Sequence, residues 1–251
     1  MNNRLKDLSA SFPLLPADLE AKISLVIPVY NEAAYLAELF AHFDRFPIFE
    51  AIFIDGGSSD QTAQLLQKWA KYQTGQFRRI VSSAVRGRGN QMNEGAKMAT
   101  GDILLFLHAD SKLPSGAINN VREVLKRAEF VGGAFRLKID SSHFFLGFIS
   151  WMANLRSTYL GLPYGDQGYF VRREVFERLK GYKAIALMED VDFFRRLKKM
   201  GRVALLKKVV HTSARRWDQG GYYFTSFRNL LILFSYFFGI SPNRLASWYR
   251  S

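Results

Sequence analysis

The strongest constraint on how this chain folds is an alternation in its first half, where short apolar runs take turns with segments of helical periodicity. The apolar runs have strand length and are rich in β-branched and aliphatic residues: 23–27, 51–54, 79–81 and 103–107. The first is expected to stop at Pro28. A helical segment lies between each pair of runs, and Asp60 is expected to cap the second of these helices. This order predicts a parallel, doubly wound α/β sheet.

Polar loops follow all four predicted strands. They comprise residues 30–32, 55–60, 86–90 and 108–110. Ligands of open α/β sheets bind beyond the carboxyl ends of the strands, so these loops are expected to converge on one edge. The first half of the chain is therefore predicted to bind a nucleotide.

After Asp110 the alternation becomes less regular. Strands are expected at residues 131–139 and 203–210, and a loop at 165–167 enters a further strand. Helices are expected at residues 144–160, 174–179, 188–200 and 222–238, the last of them rich in aromatic side chains.

Composition narrows the classes of partner. Lysine and arginine number 35 against 22 acidic residues, a net charge of +13, which suits an anionic ligand or an anionic membrane face. No nucleic-acid-binding motif accompanies the charge, so nucleic acid is not an expected partner. The chain has no cysteine, so any metal must be held by carboxylate, histidine, phosphate or water.

Neither end of the sequence has the pattern of a membrane-crossing segment. Residues 1–20 lack the apolar core of a signal peptide, and the longest apolar run, 230–240, is shorter than the ~18 residues of a transmembrane helix. We expect a cytoplasmic protein that is able to lie at the inner face of the cell membrane. The aromatic helix at 222–238 either covers the sheet or lies in a bilayer interface.

Six motifs along the chain carry a resemblance to a known family. They are Val26 to Glu32 (VIPVYNE), Asp55 to Thr62 (DGGSSDQT), Arg88 to Asn93 (RGNQMN) with Ala99 to Asp102 (ATGD), Leu105 to Asp110 (LFLHAD), Met188 to Asp190 (MED) and Thr212 to Trp217 (TSARRW). In this order they resemble glycosyltransferase family 2, from Ile23 to about Trp217. The chain resembles most closely a small bacterial branch, the radical-SAM/selenodomain-associated glycosyltransferases.

The resemblance implies a GT-A fold, with a Rossmann-like, mostly parallel central sheet flanked by helices and a C-terminal acceptor-binding portion. One domain is expected, in three parts: a nucleotide-sugar-binding half at about 22–112, an acceptor and catalytic half at about 113–220, and an aromatic C-terminal helix at about 221–251. The implied function is inverting, metal-dependent transfer of a sugar from a nucleotide-sugar to an acceptor hydroxyl. A UDP-sugar is the expected donor, with guanosine and thymidine donors as alternatives.

The resemblance also implies a donor-binding set. Pro28 and Tyr30 are expected to pack on the base, Glu32 to lie beside the ribose, and Asp55 to accept from the base or ribose; a turn-forming role is the alternative for Asp55. Phosphate is expected at a helix N-terminus, near Arg88, Gln91 and Asn93. A basic element near the diphosphate and acceptor completes the set: Arg215, Arg216 and Trp217. Its alternative is a basic turn with one buried aromatic residue.

A metal site is implied at residues 108–110, where the family usually has Asp-x-Asp. Asp110 is expected to hold Mg²⁺ or Mn²⁺ against the diphosphate. His108 replaces the first aspartate and either shifts the preference towards Mn²⁺ or only caps the strand. His211 is a further candidate ligand, after a later strand.

The resemblance implies that an acidic pair carries out catalysis. Asp190 is expected to deprotonate the acceptor and Glu189 to position it, with Asp192 as the fallback base, although Asp192 would point elsewhere on a helix. Asp166 and Gln167 lie between the two halves and are expected to bind the acceptor. The acceptor itself is unknown; polyprenyl phosphate and other lipids are among the candidates.

Two other functions fit parts of the pattern. A nucleotidyltransferase would need a glycine-rich basic loop after the first strand, which residues 28–32 do not provide. A non-catalytic nucleotide-sugar- or lipid-binding module is favoured by His108 and opposed by Asp110, Glu189 and Asp190.

Overall fold

A computed structural model of the protein describes residues 20–71 and 78–250. Of residues 1–20, which lack the pattern of a signal peptide, only Glu20 lies within this part. The strands are β1 (Ile23–Val29), β2 (Glu50–Asp55), β3 (Arg78–Ser83), β4 (Ile103–Phe106), β5 (Ser111–Lys112), β6 (Phe130–Asp140), β7 (Tyr169–Arg172) and β8 (Arg202–Ser213). The helices are α1 (Leu36–Phe43), α2 (Thr62–Lys71), α3 (Arg88–Met98), α4 (Ala117–Lys126), α5 (Phe144–Tyr159), α6 (Arg173–Arg178), α7 (Glu189–Leu197), α8 (Arg215–Gly220), α9 (Tyr222–Phe237) and α10 (Pro242–Arg250), with a 3-10 turn at Gly165–Gln167.

All eight strands join one sheet in the order β3-β2-β1-β4-β7-β6-β8-β5. The first four run parallel, as the alternation predicts. In the second half β7 is antiparallel to both β4 and β6, β8 is parallel to β6, and β5 is antiparallel to β8. The predicted α/β class, a mostly parallel sheet flanked by helices, is confirmed.

The predicted end of the first strand at Pro28 is wrong, because β1 continues to Val29. On one side β1 pairs with β4 only as far as Val26. On the other side its register with β2 continues through Pro28 and Val29. A proline that lacks an N–H is therefore tolerated, since one neighbour has already ended at that level.

Hydrophobic side chains fill both faces of the sheet. On one face Phe40 of α1 stacks on Trp69 of α2, with ring centroids 4.7 Å apart, and both rings contact Phe53 of β2. On the other face Phe106 of β4 packs against Phe176 and Tyr182. Burial on both sides explains why the N-terminal strands are continuous apolar runs rather than alternating ones.

Helix α5 covers the part of β6 that β7 does not reach. The β6–β7 pairing ends at Ala134. Further along, the Asn154 side chain donates to the carbonyl and accepts from the N–H of Leu137, and Ser150 Oγ accepts from the N–H of Ile139. Polar side chains of a helix therefore replace a neighbouring strand and satisfy the exposed edge.

Four elements were not among the expected ones: β5, α4, α8 and α10. The two-residue β5 pairs Lys112 with His211, and only this tertiary pairing defines it as a strand. The remaining elements lie within a few residues of their expected bounds, as is usual at element ends. Within the described residues, no helix has both the length and the apolar character needed to cross a bilayer.

Candidate active site

A cleft of about 670 Å³ lies at the carboxyl ends of β1 and β4, next to the N-terminus of α3. Its size falls in the range of small-molecule sites, roughly 300–1,000 Å³. The predicted site residues that line it are Pro28, Tyr30, Glu32, Arg88, Gln91, His108, Asp110, Glu189 and Arg216. The Arg86 guanidinium lies 3.9 Å from the ring centroid of Tyr30 and provides a cation at the same rim.

A second, smaller chamber of about 110 Å³ lies next to this cleft and shares six of its wall residues. The shared residues are Arg88, His108, Asp110, Leu187, Arg216 and Tyr249. The rest of its wall holds two carboxylates, Asp166 and Asp190, and Trp217. Helix α9 covers it with Thr225, Asn229 and Ile232. A ligand that extends from the cleft therefore meets both carboxylates in the chamber.

Asp190 is fixed in the chamber by two backbone amides. Its Oδ2 accepts from Gly165 N and its Oδ1 from Val191 N, both at 2.8 Å. The carboxylate lies in the first turn of α7, where the helix dipole stabilises negative charge. Asp192 faces away, as expected, and forms ion pairs with Lys183 and Arg196. The geometry favours Asp190 over Asp192 as a base.

Glu189 is buried and forms an ion pair with Arg88, with Nε and Oε1 2.9 Å apart. Burial raises the pKa of Glu189, against the opposing pull of Arg88. The same carboxylate raises the pKa of Arg88 above its ordinary value, so the guanidinium stays charged. Glu189 therefore holds a cation at the N-terminus of α3, and its expected positioning of the acceptor stays a prediction.

Asp110 and His108 lie together at the wall between the cleft and the chamber. Asp110 Oδ1 has one weak contact, with Ser111 Oγ at 3.3 Å. Burial, followed by the nearby Arg88 charge, lowers the pKa of His108 to about 4, so the imidazole is neutral at pH 7. A carboxylate and a neutral imidazole are both ligand types for Mn²⁺.

No set of three acidic or histidine side chains within the described residues is arranged to hold a metal. The residues present therefore fit a cation only if other ligands, such as diphosphate oxygens and water, complete its shell. Donor sets of this kind, with one or two protein carboxylates and substrate phosphate, are common for Mg²⁺.

His211 does not join this group. Its Nδ1 lies 2.6 Å from Asp140 Oδ1 in the neighbouring strand β6. The next residue, Thr212, points to Ser111 and lines the chamber, and successive side chains of a strand face opposite sides. The expectation that His211 ligates the metal does not fit the structure, because the strand directs its ring away from Asp110.

Two predicted phosphate-binding amides on α3 already have protein partners. Gln91 Nε2 donates to the carbonyls of Val29 and Ile54, both at 2.8 Å. Asn93 accepts from the N–H of Tyr182 and donates to its carbonyl. Their side chains therefore fix the strand ends and the 181–182 loop, and direct donor binding by them is not what the structure shows.

Glu32, predicted to lie beside the ribose, and Arg215, predicted to lie near the diphosphate, form an ion pair with each other. Arg215 Nη1 and Nη2 each lie 2.8 Å from one carboxylate oxygen of Glu32. Asp55 accepts from the N–H groups of Gly57 and Ser58 and from the Ser58 hydroxyl. Asp55 thus forms the turn that was its alternative role, while Arg216 remains in the cleft and donates to the hydroxyl of Tyr249.

The two predicted acceptor residues differ. Gln167 is completely buried, donates to the carbonyl of Phe135 and accepts from Ser157 and Tyr164, so it is a scaffold residue rather than a binding one. Asp166 lines the chamber, and its Oδ1 is buried with no hydrogen-bond partner among the described residues. Burial raises the pKa of Asp166 to about 6, against the opposing Arg156 charge.

Tyr164 and Tyr249 line the chamber but were not predicted. Tyr249 belongs to α10, far beyond the last motif, and no sequence signal places it near the cleft. Tyr164 lies one residue before the predicted acceptor loop, and the Arg156 guanidinium stacks 3.4 Å from its ring centroid. Trp217 lies in the wall of the chamber with Nε1 donating to Ser226, which fixes the indole rather than leaving it mobile.

Comparison with known proteins agrees with this arrangement. The fold resembles the mannosyltransferase PcManGT from Pyrobaculum calidifontis, solved with GDP-Man and Mn²⁺, at TM-score 0.57 and 18% identity over 83% of this chain and 62% of that one. It also resembles residues 1–349 of S. aureus TarS, solved with UDP-GlcNAc, at TM-score 0.61 and 19% identity over 76% of this chain and 58% of that one. The fold is that of the GT-A glycosyltransferases.

The sequence matches the family model described as glycosyl transferase family 2 over residues 24–180. The chain therefore belongs to glycosyl transferase family 2, which confirms the predicted family and enzyme class. The resemblance to the narrower bacterial branch stays a prediction.

Curated relatives are undecaprenyl-phosphate 4-deoxy-4-formamido-L-arabinose transferases. One, from Klebsiella pneumoniae (strain 342), is 29% identical over 60% of this chain and 48% of its own length. Another, from Pseudomonas aeruginosa (strain LESB58), is 30% identical over 51% of this chain and 38% of its own length. The chain thus spans less than half the length of either relative.

Proposed function

We propose that the protein transfers a sugar from a nucleoside-diphosphate sugar to an acceptor held in the small chamber, with Asp190 as general base. The observation that carries the proposal is the carboxylate of Asp190, fixed by Gly165 N and Val191 N in a chamber that shares its wall with a nucleotide-sized cleft. A general base must first lie within hydrogen-bond reach of the proton that it removes, and the two backbone amides fix the position of the Asp190 carboxylate in the chamber.

The donor is assigned to the larger cleft. Its wall has an aromatic ring at Tyr30 for a base, and its Arg88 and Arg216 provide cations for a diphosphate. Neighbours of the same fold were solved with GDP-Man and with UDP-GlcNAc, which supports a nucleoside-diphosphate sugar and leaves both uridine and guanosine as candidates. We retain the UDP-sugar as the first donor to test.

Mg²⁺ or Mn²⁺ is proposed to bind at Asp110, with His108 as a second ligand and diphosphate oxygens completing the shell. Mn²⁺ is present in the solved complex of PcManGT. The bound cation would neutralise charge on the departing diphosphate. Arg216 and Arg88 line the wall beside this place and would add positive charge there.

The proposed reaction inverts the configuration at the anomeric carbon, because the acceptor oxygen displaces the nucleoside diphosphate in a single step. Asp190 takes the proton of an acceptor hydroxyl while that oxygen forms the new bond to the anomeric carbon, and the nucleoside diphosphate leaves with the old bond pair. Asp166 lines the same chamber with an unpartnered oxygen and is proposed to bind an acceptor hydroxyl.

A lipid-linked acceptor is the second part of the proposal. The names of the curated relatives specify undecaprenyl-phosphate. A phosphate acceptor is already anionic at pH 7 and would not need a base, whereas a hydroxyl acceptor would. The cellular place, in the cytoplasm at the inner face of the cell membrane, stays a prediction.

The test is release of nucleoside diphosphate from UDP-, GDP- and dTDP-sugars, with Mn²⁺, with Mg²⁺ or with a chelator, and with or without polyprenyl phosphate in detergent. We expect one nucleotide family to be turned over in a metal-dependent way. Asp190→Asn should lower kcat for a hydroxyl acceptor by about 10²–10⁴ with donor affinity unchanged. Asp192→Asn removes a carboxylate from the same helix and should leave kcat within about threefold.

The outcomes separate the candidate functions. If the wild type transfers sugar to a hydroxyl acceptor and Asp190→Asn slows that transfer, the base role holds. If the wild type transfers sugar only to a phosphate acceptor and Asp190→Asn is equally fast, the acceptor is a phosphate and Asp190 is not the base. A folded protein that binds nucleotide-sugars but turns none of them over would support the binding-module alternative. A folded protein that binds no nucleotide would overturn the proposal.

A further inference from the structure

Helices α5 and α9 are oriented opposite to the usual pattern of a surface helix. The buried residues of α5 are small or polar apart from one leucine: Leu146, Ser150, Ala153 and Ser157. Those of α9 are Thr225, Ile232 and Ser235. Surface helices normally turn their apolar stripe to the core and their polar face to water. Here the large apolar side chains are left for the outside.

The outward stripes are long and aromatic. Along α5 and its C-terminal end the exposed large apolar residues are Phe144, Phe148, Trp151, Met152, Leu155, Tyr159 and Leu160. Along α9 and its end they are Tyr223, Phe224, Phe227, Leu230, Leu231, Phe234, Phe237 and Phe238. Phe144 and Phe238 are 89% and 86% exposed, so neither stripe is covered by the rest of the described chain.

The two stripes meet to form one surface, which we call the α5–α9 surface. At the start of both helices Phe145 and Tyr223 have ring centroids 4.6 Å apart, and His143 and Tyr222 have centroids 4.2 Å apart. An exposed apolar area of this extent is rare on a protein that contacts only water and marks an interaction site.

Cations border the other end of the α5–α9 surface. Lys198 Nζ lies 3.1 Å from the carbonyl of Leu160, at the end of α5. The Arg195 guanidinium lies 5.5 Å from the ring centroid of Phe237, at the end of α9. Arg195 of α7 and Lys198, the residue that follows this helix, are both exposed, so they form a basic rim next to the aromatic side chains.

The sequence contributes little opposing charge. Between Asp140 and Asp166, and again after Asp218, there is no acidic residue, while Arg228, Arg244 and Arg250 lie in the second stretch. The exposed Asp218 accepts from the Tyr222 hydroxyl at the start of α9, at the end away from Arg195 and Lys198. If a second copy of this chain packed on the surface through the same face, the two cations of each rim would have at most this one carboxylate to pair with. A bilayer with anionic lipids provides both missing partners: negative head groups for the basic rim and an apolar interior for the aromatic stripes.

We propose that the α5–α9 surface lies in the interface of a bilayer that contains anionic lipids, with its aromatic residues among the acyl chains and Arg195 and Lys198 at the head groups. This goes beyond the proposed function, because it requires neither donor nor metal. The inner side of α9 covers the chamber with Thr225, Asn229 and Ile232, so docking would place a lipid-borne acceptor one helix away from Asp190.

Helix α5 connects the same surface to the catalytic carboxylate. Its Ser157 donates to Gln167 at 2.8 Å, and its Arg156 stacks on Tyr164. These contacts hold the turn in which Gly165 N donates to Asp190. The proposed docking surface and the base therefore share one packed unit.

The test uses the full chain with sedimented vesicles of phosphatidylcholine alone or of phosphatidylcholine and phosphatidylglycerol, at low salt. We expect binding to the anionic vesicles, weakened at least about tenfold by Phe148→Ser with Trp151→Ser, and again by Phe227→Ser with Phe234→Ser. Val85→Ser, at an exposed apolar residue elsewhere, is the control and should bind like the wild type. Arg195→Gln with Lys198→Gln should weaken binding only to anionic vesicles; Lys97→Gln with Lys126→Gln controls for net charge.

Insertion is measured separately by tryptophan fluorescence. Trp69 and Trp217 are buried, whereas Trp151 on the α5–α9 surface is 56% exposed and Trp248 on α10 is 36% exposed. Vesicles should therefore shift the emission to the blue, and Trp151→Phe should remove most of that shift whereas Trp248→Phe should leave most of it. No binding to either vesicle type would overturn the proposal. So would binding that the aromatic variants leave unchanged, or a dimer in solution that Phe227→Ser with Phe234→Ser dissociates. Nucleotide-sugar binding by the same variants shows whether the proposed function fails independently.

Discussion

Arg215 and Glu32, 183 residues apart in the sequence, form a two-pronged ion pair in which each Nη atom lies 2.8 Å from a carboxylate oxygen. The pair connects the loop after β1 to the first residue of α8, and so joins the two halves of the chain beside the cleft. The guanidinium also lies 4.6 Å from the ring centroid of Tyr35. One wall residue of the proposed donor cleft, Glu32, is thus held by a contact that neither half contains alone.

The first prediction concerns how much this ion pair contributes to the stability of the fold. Glu32→Gln and Arg215→Gln should each lower the free energy of unfolding by about 1–3 kcal/mol. The Glu32 and Arg215 side chains are only 12% and 24% exposed, and each variant leaves the charge of the remaining partner unpaired. A double-mutant cycle in urea should show a coupling of about 1 kcal/mol or more.

Glu38→Gln is the matched control, because Glu38 pairs with Lys112 in an exposed ion pair that should be worth at most ~0.5 kcal/mol. If Glu32→Gln weakens nucleotide binding far more than Arg215→Gln does, Glu32 contacts the ribose in the bound state. Equal losses would mean that the pair acts through the shape of the cleft.

A second prediction concerns Arg88 and Glu189. Glu189→Gln should lower the free energy of unfolding by about 1–3 kcal/mol, because it leaves the partly buried Arg88 without its counter-charge. Arg88→Lys should weaken nucleoside-diphosphate binding several-fold while largely preserving the fold, since lysine keeps the charge but loses the planar fork.

Calorimetric titration of the nucleoside diphosphate and urea unfolding measure the two effects separately. Glu94→Gln, which breaks the exposed pair with Lys97 on the same helix, should change neither by more than ~0.5 kcal/mol. Unchanged diphosphate affinity in Arg88→Lys would remove Arg88 from the phosphate site.

The raised pKa of Asp166 predicts a pH dependence of stability. The folded state holds the proton of this buried carboxyl with a pKa of about 6, above the ordinary value of ~3.9 of an unfolded chain. Its contribution is therefore fully present below about pH 4 and is lost as pH rises through about 6. Asp166→Asn abolishes this titration.

The measurement is the difference in free energy of unfolding between wild type and Asp166→Asn at pH 4, 5, 6 and 7. The wild type should lose stability relative to the variant by up to ~1.4 kcal/mol per pH unit between pH 4 and 6, with little change above. Glu123→Gln controls for removal of an exposed carboxylate. A difference that is constant with pH would mean that Asp166 is ionised and solvated in the folded chain.

The first half of the fold was predictable because its signals are local. Each strand from β1 to β4 is a continuous apolar run, and burial on both faces of a parallel sheet produces such runs. The position of Asp110, Glu189 and Asp190 at the site followed from motifs. The position of β7 beside β4 could not be predicted, because no local sequence pattern encodes which strands pair with each other in the sheet.

Side-chain partners were the least predictable part of the site. Gln91 binds the carbonyl of Val29, 62 residues away, and Asn93 binds the backbone of Tyr182, 89 residues away. A motif shows that an amide is needed at a position but not whether it serves a ligand or the scaffold. The wrong strand end at Pro28 has the same origin, since the missing N–H matters only when a neighbouring strand is present.

The last prediction concerns the space beside Asp190, the proposed general base. A Cβ at Gly165 would lie 3.2 Å from Asp190 Oδ2 and 3.2 Å from His108 Nε2, closer than most side-chain contacts. Gly165→Ala should therefore move Asp190 by a few tenths of an ångström and disturb the bond from Gly165 N. We expect a fall in kcat of about tenfold to a hundredfold with donor affinity nearly unchanged, because small errors in base placement are costly.

Gly147→Ala on α5 is the matched control, since nothing lies within 4 Å of its added methyl group. It should leave kcat unchanged and stabilise the helix by up to ~1 kcal/mol. Steady-state kinetics and nucleotide titration for both variants decide the question. If Gly165→Ala lowers donor affinity and kcat together, Gly165 shapes the donor cleft; if it lowers kcat alone, the glycine is required so that Asp190 and His108 can approach each other next to the reacting atoms.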